Sequence, residues 1–148
     1  MICVDACLAA KWILEEEFSD QAQALLVSAI REGSRVVAPP LLPIEVTNIL
    51  RQRMRRDRPP LALADATELL ERFLDLPVDI VAPDGLYESA LALADAYQLP
   101  AAYDAHYVVL AQMLGCSLWT ADQRLINALG ARLPSVKSIR DYAPGLPL

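Results

Sequence analysis

Short apolar runs alternate along this chain with longer stretches in which apolar residues return every three or four positions. Met1 to Val4 is apolar and stops at Asp5, and Leu8, Trp12 and Ile13 then recur at helical spacing from Ala6 to Glu16, so the opening reads strand, acid, helix. Ser19 is placed to cap a second helix that runs through Ala22, Leu25, Leu26 and Ala29 to Arg31, with Gly33 ending it. Val36 to Ala38 predicts a second strand. Pro39, Pro40 and Pro43 punctuate the entry to a third helix through Ile44, Val46, Ile49, Leu50 and Met54, with Glu45 near its start. Pro59 and Pro60 break the chain before a fourth helix, Ala62 to Leu74, striped by Ala66, Leu69, Leu70 and Phe73. Pro77 ends it, Val78 to Val81 predicts a third strand, and Leu86 to Tyr97 a helix with Ala90, Leu91 and Ala94 on one face.

The stretch from Pro100 to Asp122 organises the rest. Pro100 suits the first turn of a helix, where its missing N–H costs nothing. Tyr103, Tyr107, Leu110, Ala111 and Leu114 continue that helix, Gly115 stops it, and Cys116 to Thr120 has the short apolar character of a buried parallel strand. Asp104 then falls in a first helical turn and Asp122 just past the carboxyl end of a strand. Arg124 to Leu129 predicts a short helix and Val136 to Ile139 a last strand before a proline-rich tail. This alternation predicts an α/β fold in which a parallel sheet is covered by helices on both faces. With 148 residues and no internal repeat or linker, the expectation is a single domain over residues 1–148.

Composition adds three constraints. Hydrophobic residues make up 55% of the chain, more than a monomer of this size needs to bury, which favours a homodimer or another protein partner. The net charge of -6 argues against a generally basic nucleic-acid-binding surface while leaving room for a local basic patch. Cys3, Cys7 and Cys116 lack zinc-type spacing and leave an odd thiol, as expected in a reducing compartment. With no basic leader before the first apolar run and no apolar run of membrane length, the expected location is cytoplasmic.

Four acids concentrate the candidate chemistry, and each also has a plain structural use. Asp5 suits a helix cap, Asp104 a helix dipole, and Asp122 or Thr120 the cap of the Arg124 helix. Glu45 stands among Leu41, Leu42, Ile44, Val46, Ile49 and Leu50, at the edge of a core-facing stripe. In a doubly wound sheet, however, the first strand is central and the strand ending at Thr120 is its neighbour across the reversal of strand order, where ligands bind. Asp5 and Asp122 then face one crevice, the helix carrying Asp104 opens at the same end, and Asn48 lies three residues from Glu45 on the same helical face. Carboxylates gathered in one crevice repel unless a cation neutralises them, and oxygen ligands without convergent His or Cys point to Mg2+ or Mn2+.

VDACLAAKWI at the start, APPLLPIEVTNIL in the middle and YDAHYVVLAQMLGCSLWTADQRL near the end resemble, in order and spacing, the PIN-domain ribonucleases, and most closely the VapC-type toxins of toxin–antitoxin pairs. The resemblance implies a PIN-like three-layer sandwich with a central parallel sheet. It also implies that Asp5, Glu45, Asp104 and Asp122 hold one or two Mg2+ or Mn2+ ions for RNA hydrolysis, with Asn48 and Thr120 lining the same pocket and an antitoxin as partner. Cys7 departs from the pattern, standing where the family's first motif usually has a small hydroxyl residue. His106, two residues after Asp104, reads as structural, and Trp12 and Trp119 as core or interface anchors. The dense basic run from Arg51 to Arg58, with Arg51, Arg53, Arg55 and Arg56, reads either as a solvated helix end or as an arm that holds RNA phosphates. Two rival readings stay open: a non-catalytic PIN-like binding module, and an aspartyl-phosphate phosphatase, against which Ala6 and Cys7 stand where a second Asp is expected.

Overall fold

The structure is a computed structural model that describes residues 1–145; the end of the proline-rich tail, residues 146–148, lies outside them. Five parallel strands form one sheet: β1 (Ile2–Val4), β2 (Val36–Ala38), β3 (Val78–Ile80), β4 (Ser117–Thr120) and β5 (Val136–Ser138), in the order β3-β2-β1-β4-β5. The helices are α1 (Ala6–Ala9), α2 (Ser19–Arg31), α3 (Leu41–Arg56), α4 (Leu63–Leu74), α5 (Leu86–Ala96), α6 (Tyr103–Met113) and α7 (Gln123–Leu125). β1 is central, and the order reverses between β1 and β4, whose register pairs Val4 with Trp119.

Alternation along each strand sorts side chains between two cores. Ile2, Val4, Val36 and Trp119 pack with Leu25, Leu26 and Ala29 of α2 and with Tyr142 on one face. Cys3, Val37, Leu118 and Val136 point to the other face, where α3, α5 and α6 supply Leu42, Val46, Leu86 and Leu110. β1 and β2 are buried throughout. At about 25 cal/mol per Å2, complete burial of side chains such as Leu118 and Leu110 contributes roughly 2 kcal/mol each.

α6 leads into β4 through Gly115, which takes φ 63° while Cys116 N–H donates to the Ala111 carbonyl at 2.9 Å and Gly115 N–H to that of Gln112 at 3.2 Å. This is the paired bonding that closes a helix on a left-handed residue, and it sets Asp104 at one end of α6 and Asp122 beyond β4 at the same edge of the sheet.

Four local expectations are corrected. The first helix is only Ala6–Ala9, tightening to a 3-10 turn over Ala10–Trp12, where the Trp12 indole N–H bonds to the Ala22 carbonyl at 2.9 Å and the acidic run that follows is a loop. Ser19 does not cap α2: Phe18 takes that position at φ 67°, and Ser19 Oγ instead accepts from Glu16 N–H and donates to the Leu14 carbonyl. Pro100 does not start α6 and follows a closed end of α5. Gln98 is left-handed, Leu99 N–H closes back on the Ala94 carbonyl, and α6 begins only at Tyr103, whose ring is exposed and not on the buried stripe. The helix expected from Arg124 is α7 followed by a wider π turn, Ile126–Gly130.

Candidate active site

Asp5 is the residue on which the site is built. It follows β1 directly, is 3% exposed, and accepts at Oδ1 from Leu8 N–H at 2.8 Å, so it does cap α1. Its other oxygen, Oδ2, accepts a short hydrogen bond from the Thr120 hydroxyl. Thr120 is fully buried at the end of β4, and its Oγ1 accepts from Asp122 N–H at 2.8 Å. Asp122 Oδ1 in turn accepts from Arg124 N–H at 2.7 Å and caps α7. The capping uses read from the sequence are therefore real. They leave the second oxygen of Asp122 free for other work.

Glu45 sits in the second turn of α3, half-buried, and accepts from the Tyr107 phenol of α6 in a short hydrogen bond. Tyr107 lies one turn after Asp104, so one face of α6 carries an acid and the group that holds another acid. Sequence reasoning counted Tyr107 only among apolar positions. Its i+3 spacing from Asp104 is the signal that marks it.

The four acids act on one another through space. Burial is the largest influence on Asp5 and, with smaller contributions from Asp104 and Asp122, outweighs the hydrogen bonds from Thr120 and Leu8, raising its pKa to about 7. Burial and then Asp122 raise Asp104. Burial also raises Glu45, opposed by Tyr107 and reinforced by Asp104. The Cys7 thiol, raised first by desolvation, is raised further by all four carboxylates, so that position feels the whole cluster. None of the four forms an ion pair among the described residues. Nor, among those residues, do three His, Cys, Asp or Glu side chains already close on one point as a ligand set. The acids share a field without a formed metal cage. Their donor chemistry, all oxygen and collectively anionic, fits a hard divalent cation.

Asn48 is exposed and lines a hollow of about 320 Å3 with Arg51, Gln52, Arg55 and Arg56. Arg53 turns to a separate cleft of about 430 Å3, bordered by Cys7 and Ala121 and therefore adjacent to Asp5 and Asp122. His106 bonds through Nδ1–H to the Ala102 carbonyl at 2.7 Å and packs edge-on against Tyr87, a structural role. Trp119 is buried edge-on against Tyr142.

A model of the PIN domain matches residues 2–130. A VapC ribonuclease of Mycobacterium bovis and the ribonuclease VapC9 of Mycobacterium tuberculosis are each 34% identical to the chain over 134 residues, covering 90% of it and 95% of the relative. A crystal structure of a Pyrobaculum aerophilum protein shares the fold, with a TM-score of 0.68 at 19% identity over 94% of this chain and 90% of that one. The chain belongs to the PIN-domain family, in its VapC-type branch.

Proposed function

We propose that the chain is a divalent-metal-dependent endoribonuclease, the toxin of a type II toxin–antitoxin pair, working as a single domain in the cytoplasm. The observation that carries this reading is Asp5: a carboxyl buried at the β1/β4 switch point, in the field of Asp104 and Asp122, with no cationic side chain paired to it among the described residues. Such an arrangement is costly to a fold and useful to a cation. Asp5, Glu45, Asp104 and Asp122 would hold Mg2+ or Mn2+, which when bound activates water for in-line attack on an RNA phosphodiester and offsets the charge at phosphorus.

The chain's own residues prepare that site. Thr120 fixes one Asp5 oxygen and, through Asp122 N–H, the backbone that aims Asp122. Tyr107 fixes Glu45. Arg51, Arg55 and Arg56, exposed on the last turns of α3, would grip RNA backbone, with Arg53 nearer the acids and Asn48 on the same exposed hollow. Exposed apolar side chains on α3 and α5, Ile44 at 65% and Leu91 at 67%, support a homodimer and an antitoxin as protein partners. A purely binding PIN-like module would have no use for four mutually repelling acids.

Cleavage of a single-stranded RNA in Mg2+ or Mn2+, repeated in EDTA and with Asp5→Asn, tests the reading. Loss of cleavage in both controls is expected. Equal cleavage in EDTA removes the metal, and equal cleavage by Asp5→Asn removes the site.

A further inference from the structure

Beside the carboxylates lies a second group of charges in which Arg53 is joined by Lys11, Glu16 and Asp57, none of which the nuclease reading uses. Lys11 Nζ donates to Glu16 Oε2 at 3.0 Å, while Glu16 Oε1 takes the Arg53 guanidinium, which also reaches Asp57 Oδ1 at 3.4 Å. The Lys11 side chain is 11% exposed and that of Glu16 24%, yet both line the open cleft bordered by Cys7 and Ala121. We propose that Lys11 and Arg53 form a binding subsite for an RNA backbone phosphate next to the crevice, and that Glu16 fills the phosphate's seat in the free protein. The inference rests on the reading of the chain as a ribonuclease.

A carboxylate that gives one oxygen to each of two cations, in a cleft open to solvent, makes the contacts that two non-bridging phosphate oxygens make. Both cations have donors to spare, since an ammonium carries three and a guanidinium five. The position also fits a path. Cys7 and Ala121 lead from the acids into the cleft, and Gln52 and Arg56 line both this cleft and the neighbouring hollow that holds Arg51 and Arg55. A strand leaving the crevice would therefore meet Lys11 and Arg53 first and the outer arginines next.

The competing account is that Glu16 merely ties its loop to α3. That loop is already tied without the carboxylate: Ser19 Oγ accepts from Glu16 N–H at 2.9 Å and donates to the Leu14 carbonyl at 3.0 Å, and Trp12 bonds to the Ala22 carbonyl.

The test is equilibrium binding of a fluorescent single-stranded oligoribonucleotide in EDTA, so that nothing is cut, across a range of salt. Glu16→Gln is expected to bind about fivefold tighter than the wild type, with a log–log salt slope steeper by roughly 0.7, the increment for one more phosphate contact on a single strand. Lys11→Gln and Arg53→Gln are expected to bind several-fold more weakly. Glu15→Gln, an equal charge change at an exposed position on the same loop, is expected to match the wild type. Glu16→Gln binding no tighter than the wild type, or no tighter than Glu15→Gln, overturns the subsite. If Glu16→Gln fails to fold, Lys11→Gln decides, and an unchanged affinity and slope overturn it. A wild type that cuts RNA with Mn2+ while these variants fail the test keeps the ribonuclease reading and loses only the subsite; a wild type that neither binds nor cuts loses both.

Discussion

Two charged clusters sit side by side in this molecule and are built on opposite terms. In the acidic cluster, Asp5, Glu45 and Asp122 are held by hydroxyl groups and backbone N–H donors, and none of them or Asp104 pairs with a cation among the described residues, so burial and repulsion between acids raise Asp5, Glu45 and Asp104. In the adjoining cleft, Lys11, Glu16, Arg53 and Asp57 are paired in sequence, plus to minus to plus to minus. The first arrangement is poised for a positive charge from outside. The second is satisfied from within and must be opened to bind anything. Charged side chains in adjoining parts of the fold thus give one cluster that opposes the free fold and one that is satisfied within it.

The largest effect expected from breaking this contrast is on catalysis. Asp5→Asn keeps the side-chain volume and the Leu8 N–H contact while removing the central charge, and should lower RNA cleavage by about 1,000-fold or more, roughly 4 kcal/mol of transition-state stabilisation. Glu45→Gln and Asp104→Asn should also abolish cleavage without unfolding the chain. Single-turnover cleavage with circular dichroism on the same samples checks both halves; an active Asp5→Asn separates the crevice from the chemistry.

The pH dependence of the metal-free protein comes next. Asp5 has a pKa of about 7 in the folded chain against 3.8 as its ordinary value, so between those limits the folded state binds the proton more tightly than the unfolded one. Its contribution to stability is therefore present below about pH 4, is lost as pH rises towards 7, and changes little above that, with a span on the order of 4 kcal/mol. Asp104 and Glu45, also raised, act in the same direction. Denaturant unfolding in EDTA should show the difference between wild type and Asp5→Asn changing in the mutant's favour from pH 5 to pH 7.5. A difference that stays flat would mean that Asp5 is ionised and solvated throughout.

A smaller effect is expected from Thr120→Val, which removes the hydroxyl that donates to Asp5 and accepts from Asp122 N–H. Leaving both groups short of a partner should cost about 1–3 kcal/mol in a melt. Because this hydrogen bond holds the Asp5 pKa down, its loss should also move the pH transition upward.

The sequence made the sheet legible because periodicity and punctuation agree there. Apolar runs bounded by Gly, Pro or acid became β1, β2 and β4, while β3 and β5 each carry a charged residue and were read from their bounding turns; placing the first strand at the centre also gave its pairing with β4. The acids were legible for the same reason: Asp5 and Asp122 end strands, and Asp104 opens a helix. What stayed hidden depends on tertiary partners. Ser19 has the right chemistry for a cap, and only the loop folding back on it recruits the hydroxyl elsewhere. Pro100 carries the same local signal whether it starts one helix or follows the end of another, and the left-handed Gln98 decides. Tyr107 and Lys11 read as an apolar-face aromatic and an ordinary charged residue until α3 and the 13–18 loop bring Glu45 and Glu16 to them.

The subtlest test of the two clusters is one of sign. Asp104 sits in the first turn of α6, where a negative charge ordinarily favours a helix by about 0.3–1 kcal/mol, so a lone Asp104→Asn change would lower the melting temperature. Here Asp122 repels it and burial opposes its charge, so neutralisation in EDTA at neutral pH should raise the melting temperature, by a few degrees if the relief is ~1 kcal/mol. Glu16→Gln removes the shared partner of two cations, one of them nearly buried, and should lower it by a comparable amount. Added Mn2+ should then stabilise the wild type and Glu16→Gln alike and Asp104→Asn less, since a ligand that binds only the folded state stabilises in proportion to its affinity. The two clusters thus predict opposite shifts without metal and different responses to it. If Asp104→Asn melts lower than the wild type and responds equally to Mn2+, Asp104 serves only its helix, and the crevice does not act as one site.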